Sequence, residues 1–154
     1  MTTIGVRRQK QAIAALIAQA EALKPGDPLQ AHVTHYICIR VSGFIEQAVI
    51  EIYSEYARLR GVEFGRFAGR RLERNPNPNA ENLCQLAGDF DRQWEEDLRS
   101  FLVLAGRRDA INSVVSNRHR IAHGESVSIG LWQMRDWYER VLEYIRFVEK
   151  QAGV

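Results

Sequence analysis

The longest uninterrupted helical pattern of the chain runs from Leu29 to Leu59 and reads LQAHVTHYICIRVSGFIEQAVIEIYSEYARL. A second apolar line on this segment carries Ile39, Ile50 and Tyr53. A helix that is apolar on more than one side is buried by several neighbours. At 1.5 Å per residue the helix would be about 40 Å long, so we predict that it is the central helix of a bundle. Its main apolar line, at three- and four-residue spacing, is Val33, Ile37, Val41, Phe44, Ile45, Ala48 and Ile52.

One helix is predicted before this segment and one after it. Before it, apolar residues recur with helical spacing from Val6 to Leu23, and the two prolines of Lys24–Pro28 end the pattern. After Gly61 an arginine-rich stretch predicts a short helix. The sequence Asn-Pro-Asn-Pro-Asn at residues 75–79 cannot continue that helix, and its last residue is a good cap for the next one.

The second half of the chain is also helical in pattern. Phe90, Trp94, Leu98 and Phe101 form one line at three- and four-residue spacing. A helix follows from about residue 107 to 123, closed by a glycine at position 124, and the last helix covers about residues 130–151. The chain contains no alternating pattern long enough to predict a strand. We therefore predict an all-α fold, an antiparallel bundle of four to five main helices.

Length and composition predict one globular domain covering residues 1–154. Apolar residues make up 45% and charged residues 26%, the balance of an ordinary soluble protein. Cys38 and Cys84 both lie in apolar stretches, which favours a reducing compartment over a disulfide scaffold. The chain contains neither an apolar run of membrane-spanning length nor a hydrophobic signal core after its first residues. We expect a cytoplasmic protein with no membrane partner.

The net charge of +2 does not by itself indicate a nucleic-acid ligand, but the charges are unevenly distributed. The segment Arg58–Arg74 is basic, Asp89–Arg99 is acidic, and Arg107–His123 is basic again. Charge runs are usually solvated faces. If the protein binds RNA, the first basic segment becomes a candidate backbone contact, with Arg66, Arg70 and Arg71 as its substrate-binding residues.

The helix that ends at Gly124 carries an arginine on its apolar line. Arg118 lies seven residues after Ile111 and four before Ala122. Arginine is almost never fully buried without a partner, because removing a guanidinium from water costs several kcal/mol. Arg118 therefore either faces a cleft or protein interface, or pairs internally with a carboxylate, for which Glu46 on the central helix is the best candidate.

His119 and His123 are four residues apart, the spacing of a two-histidine metal site. The intervening residues lack the glutamate of the zinc-protease motif, and the neighbouring arginines repel a cation, so we predict no metal. His32 and His35 lack an acidic cluster nearby and are predicted to be surface or cap residues. Phosphate-binding glycine loops and a serine on a strand-to-helix elbow are likewise missing from the sequence.

Arg118 and His123 suit phosphodiester cleavage. A neutral histidine exchanges a proton near pH 7, and a guanidinium holds a phosphate through two hydrogen bonds while charge grows on it. Side chains five residues apart start about 140° apart on a helix, but His123 is predicted at the helix end, where arginine is long enough to reach it. Without a metal, the nucleophile would be a ribose 2′-hydroxyl, which predicts RNA as the substrate.

The run NRHRIAHG at residues 117–124 resembles the signature of the HEPN superfamily, in which an arginine, a polar residue and a few more residues precede a histidine near a helix end. The chain is most similar to the RiboL-PSP-type HEPN proteins, from the long second helix to Trp137 and Tyr138. This resemblance implies a metal-independent endoribonuclease without cofactors. It also implies a homodimer that joins two motifs in one cleft, in a toxin–antitoxin or other defence system with a cognate antitoxin as partner.

The resemblance also implies roles for single residues. His123 would be the general base or acid at the 2′-hydroxyl, Arg118 would stabilise the pentacoordinate phosphate, and His119 would occupy the polar position after the arginine. Asn117 and Arg120, within the same run, are expected to help bind the substrate. The product would be a 2′,3′-cyclic phosphate. The alternative function is a non-catalytic HEPN module that binds RNA, a nucleotide or a protein.

Overall fold

The structure, a computed structural model, describes residues 2–74 and 77–154, so Asn75 and Pro76 of the predicted loop lie outside the described residues. All regular elements in these ranges are α-helices, which confirms the all-α prediction. The helices number seven in the described chain, more than the four to five main helices predicted. They are α1 (Ile4–Glu21), α2 (Pro28–Arg58), α3 (Val62–Glu73), α4 (Ala80–Phe90), α5 (Arg92–Val103), α6 (Arg107–Ala122) and α7 (Leu131–Ala152).

The central position of α2 is confirmed. It has 31 residues, it begins where Asp27 accepts a hydrogen bond from the Leu29 amide at 2.9 Å, and it packs against α1, α3, α6 and α7. Because α2 has neighbours on several sides, its buried residues come from both predicted apolar lines; Tyr53 of the second line is fully buried. The other two residues of that line are less buried: Ile50 is half-buried, and 38% of the surface of Ile39 is exposed.

The single apolar line predicted from Phe90 to Phe101 is divided between two helices. Asp91 has extended backbone angles (φ −159°, ψ 126°), and its side chain accepts a hydrogen bond from the Gln93 amide at 2.7 Å. It therefore ends α4 and caps α5. Phe90 and Trp94, on opposite sides of this break, both stack on Tyr53, with ring centroids 4.6 and 6.1 Å away. The shared packing preserves the apolar spacing, so the sequence pattern does not reveal the break.

The predicted end of α6 is confirmed. Gly124 has a positive φ of 72°, the left-handed conformation that glycine adopts without a steric penalty. Gly106, before α6, is left-handed too, with φ 68°. Cys38 and Cys84 are both buried free thiols, and burial raises the pKa of Cys38 to about 11. In the described ranges, each helix falls short of the length or the hydropathy needed to cross a membrane.

The first helix is capped by a residue from the central helix. The Glu51 carboxylate accepts a hydrogen bond from the Thr3 hydroxyl at 2.6 Å and another from the Val6 amide at 3.2 Å. We expect Glu51→Ala to lower the free energy of unfolding by about 1 kcal/mol, because the helix N-terminus then loses its charged acceptor and keeps only the Thr3 hydroxyl, which accepts from the Val6 amide at 3.3 Å. Glu51→Gln, which keeps an acceptor oxygen, should cost less in the same urea titration. Equal losses in the two variants would contradict the cap.

The second stability prediction concerns Glu81 on α4, which receives two hydrogen bonds of 2.8 Å from Arg99 on α5. This contact, helped by Gln85 and opposed by partial burial, lowers the pKa of Glu81 from 4.5 to about 2. A lowered folded-state pKa contributes stability above the unfolded value that is lost as the pH falls. At pH 5.5 we expect the wild type to have a higher Tm than Glu81→Gln. The difference in Tm should shrink as the pH falls from 4.5 to about 2. A Tm difference as large at pH 2 as at pH 5.5 would refute this assignment.

Candidate functional site

The first three turns of α6 pack against the central helix and so fix the position of its C-terminal end. Ile111, Val114 and Val115 are buried, and the Cys38 thiol of α2 donates a weak hydrogen bond to the Val114 carbonyl at 3.5 Å. From position 116 onward most side chains of α6 are exposed. The packed part of the helix therefore serves as an anchor, and its last turn presents polar residues to solvent.

Arg118 lies on this exposed part of α6. It lines a cavity of about 130 Å³ together with Glu46 and Ser42 of α2 and the loop residues Asn77 and Pro78. Both Arg118 and Glu46 are among the described residues, yet no ion pair of 4.0 Å or less joins them. Arg118 is exposed and Glu46 is half-buried, so this structure does not contain the buried pair of the alternative interpretation. Although Ile121 further along α6 still packs against the core, Arg118 itself is exposed and needs no internal carboxylate.

His119 lies between the two residues of the predicted pair. It lines the cavity of Arg118, and its ring is 5.4 Å from that of His123, centroid to centroid, in an edge-on arrangement of 62°. His123 itself is the C-terminal cap of α6, with φ −90° and ψ 9°, and is exposed. The structure thus brings Arg118, His119 and His123 together on one helix end. His119 lies between the other two, beside the cavity of Arg118 and beside the ring of His123.

A second cavity, of about 450 Å³, also touches His119. It shares Asn77, Val115 and His119 with the cavity of Arg118, so the two cavities adjoin at His119, and together they are called the groove. The remaining lining residues are Asn79, Glu81, Asn112 and Ser116. The sequence analysis assigned none of these residues to a site. A signal existed on α6, because Asn112, Ser116 and His119 follow the four- and three-residue spacing of one helix face.

Two more residues of α6 were predicted to bind substrate, Asn117 and Arg120, and neither is among the lining residues of the two cavities. Arg120 donates to Glu125 at 3.0 Å and to the Ser126 carbonyl at 3.0 Å, which ties α6 to the loop that follows it. Asn117 donates its side-chain amide to the Ser113 carbonyl of its own helix at 2.9 Å. Both side chains therefore already have intramolecular hydrogen-bond partners.

The three arginines of the basic segment that were predicted to bind substrate, Arg66, Arg70 and Arg71, lie on α3, which packs on α2. Arg71 forms an ion pair of 2.6 Å with Asp89, and Arg66 forms one of 3.5 Å with Glu63. Arg70 is exposed. Ion pairing thus neutralises part of the basic segment, because acidic residues of α3 and α4 lie within reach of it.

A metal site needs more ligands than the two neighbouring rings of His119 and His123. Among the described residues, no group of three or more histidine, cysteine, aspartate or glutamate side chains is arranged to hold a metal ion. The arrangement on α6 is instead two imidazoles and a guanidinium beside a groove, a set of groups that can exchange protons and stabilise an anion.

A family model for RiboL-PSP-HEPN matches the chain over residues 6–153. The chain belongs to the RiboL-PSP-HEPN family. The family match spans all seven helices of the HEPN bundle almost from end to end. HEPN domains are frequently ribonucleases, and they often bind RNA and dimerise. No curated protein and no solved structure matches this HEPN chain significantly.

Proposed function

We propose that the protein is a metal-independent endoribonuclease whose catalytic groups are Arg118, His119 and His123. The observation that carries this proposal is the position of His119, which lines the same cavity as Arg118 and whose ring centroid lies 5.4 Å from that of His123. Two histidines and an arginine at one groove supply a proton acceptor, a proton donor and an anion-stabilising group. These are the groups that transesterification at a ribose phosphate requires.

The proposed reaction begins at the ribose 2′-hydroxyl. His123 accepts the proton of this hydroxyl, and its oxygen attacks the adjacent phosphorus. The bond between phosphorus and the 5′-oxygen of the next nucleotide breaks, and His119 donates a proton to that leaving oxygen. Arg118 hydrogen-bonds the phosphate oxygens while negative charge grows on them. The products are a 2′,3′-cyclic phosphate and a free 5′-hydroxyl, and no water or metal ion enters the step.

The test is incubation of the purified protein with end-labelled single-stranded RNA in EDTA, beside a DNA oligonucleotide of the same sequence. We expect cleavage of the RNA alone, with a 2′,3′-cyclic phosphate at the new end, because DNA lacks the nucleophile. Intact RNA, equal cleavage of DNA, or a cut that disappears with EDTA would reject the proposed reaction. RNA that is bound but left intact would assign the chain to the non-catalytic HEPN modules.

A second copy of the chain completes the proposed enzyme. Arg118 and His123 are exposed, and α2, whose Ser42 and Glu46 line the cavity of Arg118, also exposes Tyr36 by 46% and Ile39 by 38%. Covering this surface with the same surface of a second copy would join two motifs in one cleft and remove apolar area from water.

We expect sedimentation to give twice the mass of the chain. Ile39→Lys should shift the protein to the monomer and reduce RNA cleavage with it, because two charges would then face each other across the symmetric interface. The exposed Val103, on α5, offers a matched control in Val103→Lys, which should leave the mass unchanged. A monomeric wild type that cleaves RNA would contradict the dimer.

A toxin role follows if the cleaved RNA is essential to the cell. We expect expression of the wild type to arrest growth, while His123→Ala is tolerated, and a cognate antitoxin protein to relieve the arrest. Equal growth with the two forms would argue against toxicity.

A further inference from the structure

The larger part of the groove, about 450 Å³, is chemically different from the part that contains Arg118. The seven described residues that line it include three asparagines and Ser116, but neither lysine nor arginine. Its one acidic residue, Glu81, is already held by Arg99 through two hydrogen bonds of 2.8 Å. A lining of amides and a hydroxyl suits the polar edge of an uncharged group, whereas phosphates are bound mainly by cationic side chains and backbone amides.

Two of the asparagines have a defined orientation. Asn79 accepts a hydrogen bond from the Asn82 backbone amide, and Asn112 accepts one from the Ala80 backbone amide, each at 2.9 Å. A backbone N–H can only donate, so the atom that faces it must be Oδ1 in both side chains. The Nδ2 amide groups of Asn79 and Asn112 are therefore the groups that these side chains offer to a ligand, and both groups are hydrogen-bond donors.

The loop that forms one wall of this cleft is held in place by the same residues. The Asn82 side chain donates to the Asn77 carbonyl at 2.8 Å, and Asn112 links the start of α4 to α6. The Asn112 side chain is thus held by a segment 32 residues away, and the Asn79 side chain is held by the first turn of α4. Donors held in this way discriminate between ligands, because a mismatched ligand cannot make them turn away without breaking the caps.

We propose that this cleft binds a nucleobase next to the scissile phosphate and prefers keto bases, uracil and guanine, over amino bases, cytosine and adenine. The proposal rests on the function proposed above, since it places the phosphate at Arg118 and the base beyond His119. Uracil and guanine present a carbonyl oxygen where cytosine and adenine present an NH₂ group. Two amide donors can hydrogen-bond to the carbonyl oxygen. They cannot hydrogen-bond to the NH₂ group, because it is itself a donor.

The test measures binding to 2′-O-methyl oligonucleotides, which lack the nucleophile and stay intact. Two pairs compare a keto with an amino base: oligo-U beside oligo-C, and oligo-inosine beside oligo-A. The members of each pair differ at this group and at the adjoining ring nitrogen, which carries a hydrogen only in the keto base. We expect the keto member of each pair to bind about tenfold more tightly, the effect of one well-placed hydrogen-bonding pair. Asn79→Asp and Asn112→Asp keep the oxygen that caps the backbone and replace the donor with an acceptor. Each should remove or reverse the preference for keto bases.

A charge-matched control separates hydrogen bonding from repulsion of RNA. Gln93→Glu adds one negative charge on α5, outside the residues that line the cleft, and should weaken all four oligonucleotides equally. Equal affinity within each pair, no binding of any oligonucleotide, or Asp variants that change all affinities by one factor would overturn the base site. Cleavage of unmodified RNA is scored separately. Cleavage without a keto preference rejects only the base site, and a keto preference without cleavage rejects only the ribonuclease.

Discussion

We expect His123→Ala to lower the rate of RNA cleavage by at least about a hundredfold, the size of effect that general acid–base catalysis supplies. His123 is exposed at the cap of α6, and the φ of 72° that ends the helix belongs to Gly124. Removing the imidazole therefore takes away the proton acceptor and leaves the helix end intact. The measurement is the rate of cyclic-phosphate formation under single-turnover conditions, which separates the chemical step from product release.

Two comparisons make this result specific to the imidazole. The variant should show the same Tm and circular dichroism as the wild type, because an exposed cap side chain has few packing contacts to lose. His119→Ala should also slow cleavage, and the double variant should be little slower than either single one, because the two histidines act on one proton transfer sequence. A His123→Ala protein that retains the wild-type rate would remove the catalytic role proposed for this residue.

Arg118→Ala is expected to reduce the rate of cleavage by about 10²–10³-fold, the cost of removing one group that stabilises transition-state charge. Arg118→Lys should recover only part of this loss. Lysine keeps the charge but lacks the planar guanidinium that holds two phosphate oxygens at once. Affinity for an uncleavable 2′-O-methyl RNA should fall much less than the rate, since the interaction matters most when charge develops on the phosphate.

The control for Arg118 is another exposed arginine. Arg146 lies on α7, and its guanidinium donates to the Leu142 carbonyl of the same helix at 3.3 Å. Arg146→Ala removes the same charge and should change cleavage by less than about twofold, because surface charges away from a site act only through screened, long-range attraction. Equal losses for the two variants would mean that Arg118 contributes net charge and not a contact with the reacting phosphate.

Much of the fold could be predicted from the chain itself. Apolar spacing located α1, α2, α6 and α7, and the prolines and glycines located several helix ends, because both features act within a few residues of one another. The division between α4 and α5 could not be predicted in this way. The extended backbone of Asp91 ends one helix and begins the next. Phe90 and Trp94 nevertheless keep helical spacing in the sequence, because both pack on Tyr53.

The candidate site, too, could be predicted only in part from the sequence. The chemistry-bearing residues Arg118, His119 and His123 lie within six positions, so the sequence by itself determined that they share one helix end. Only the tertiary structure decided that Arg118 is exposed beside Glu46 without pairing to it, and that Asn77, Asn79 and Asn112 form a groove past His119. Helix periodicity records which face a residue occupies. The partners across that face come from segments 30 to 80 residues away, and their positions depend on how the helices pack.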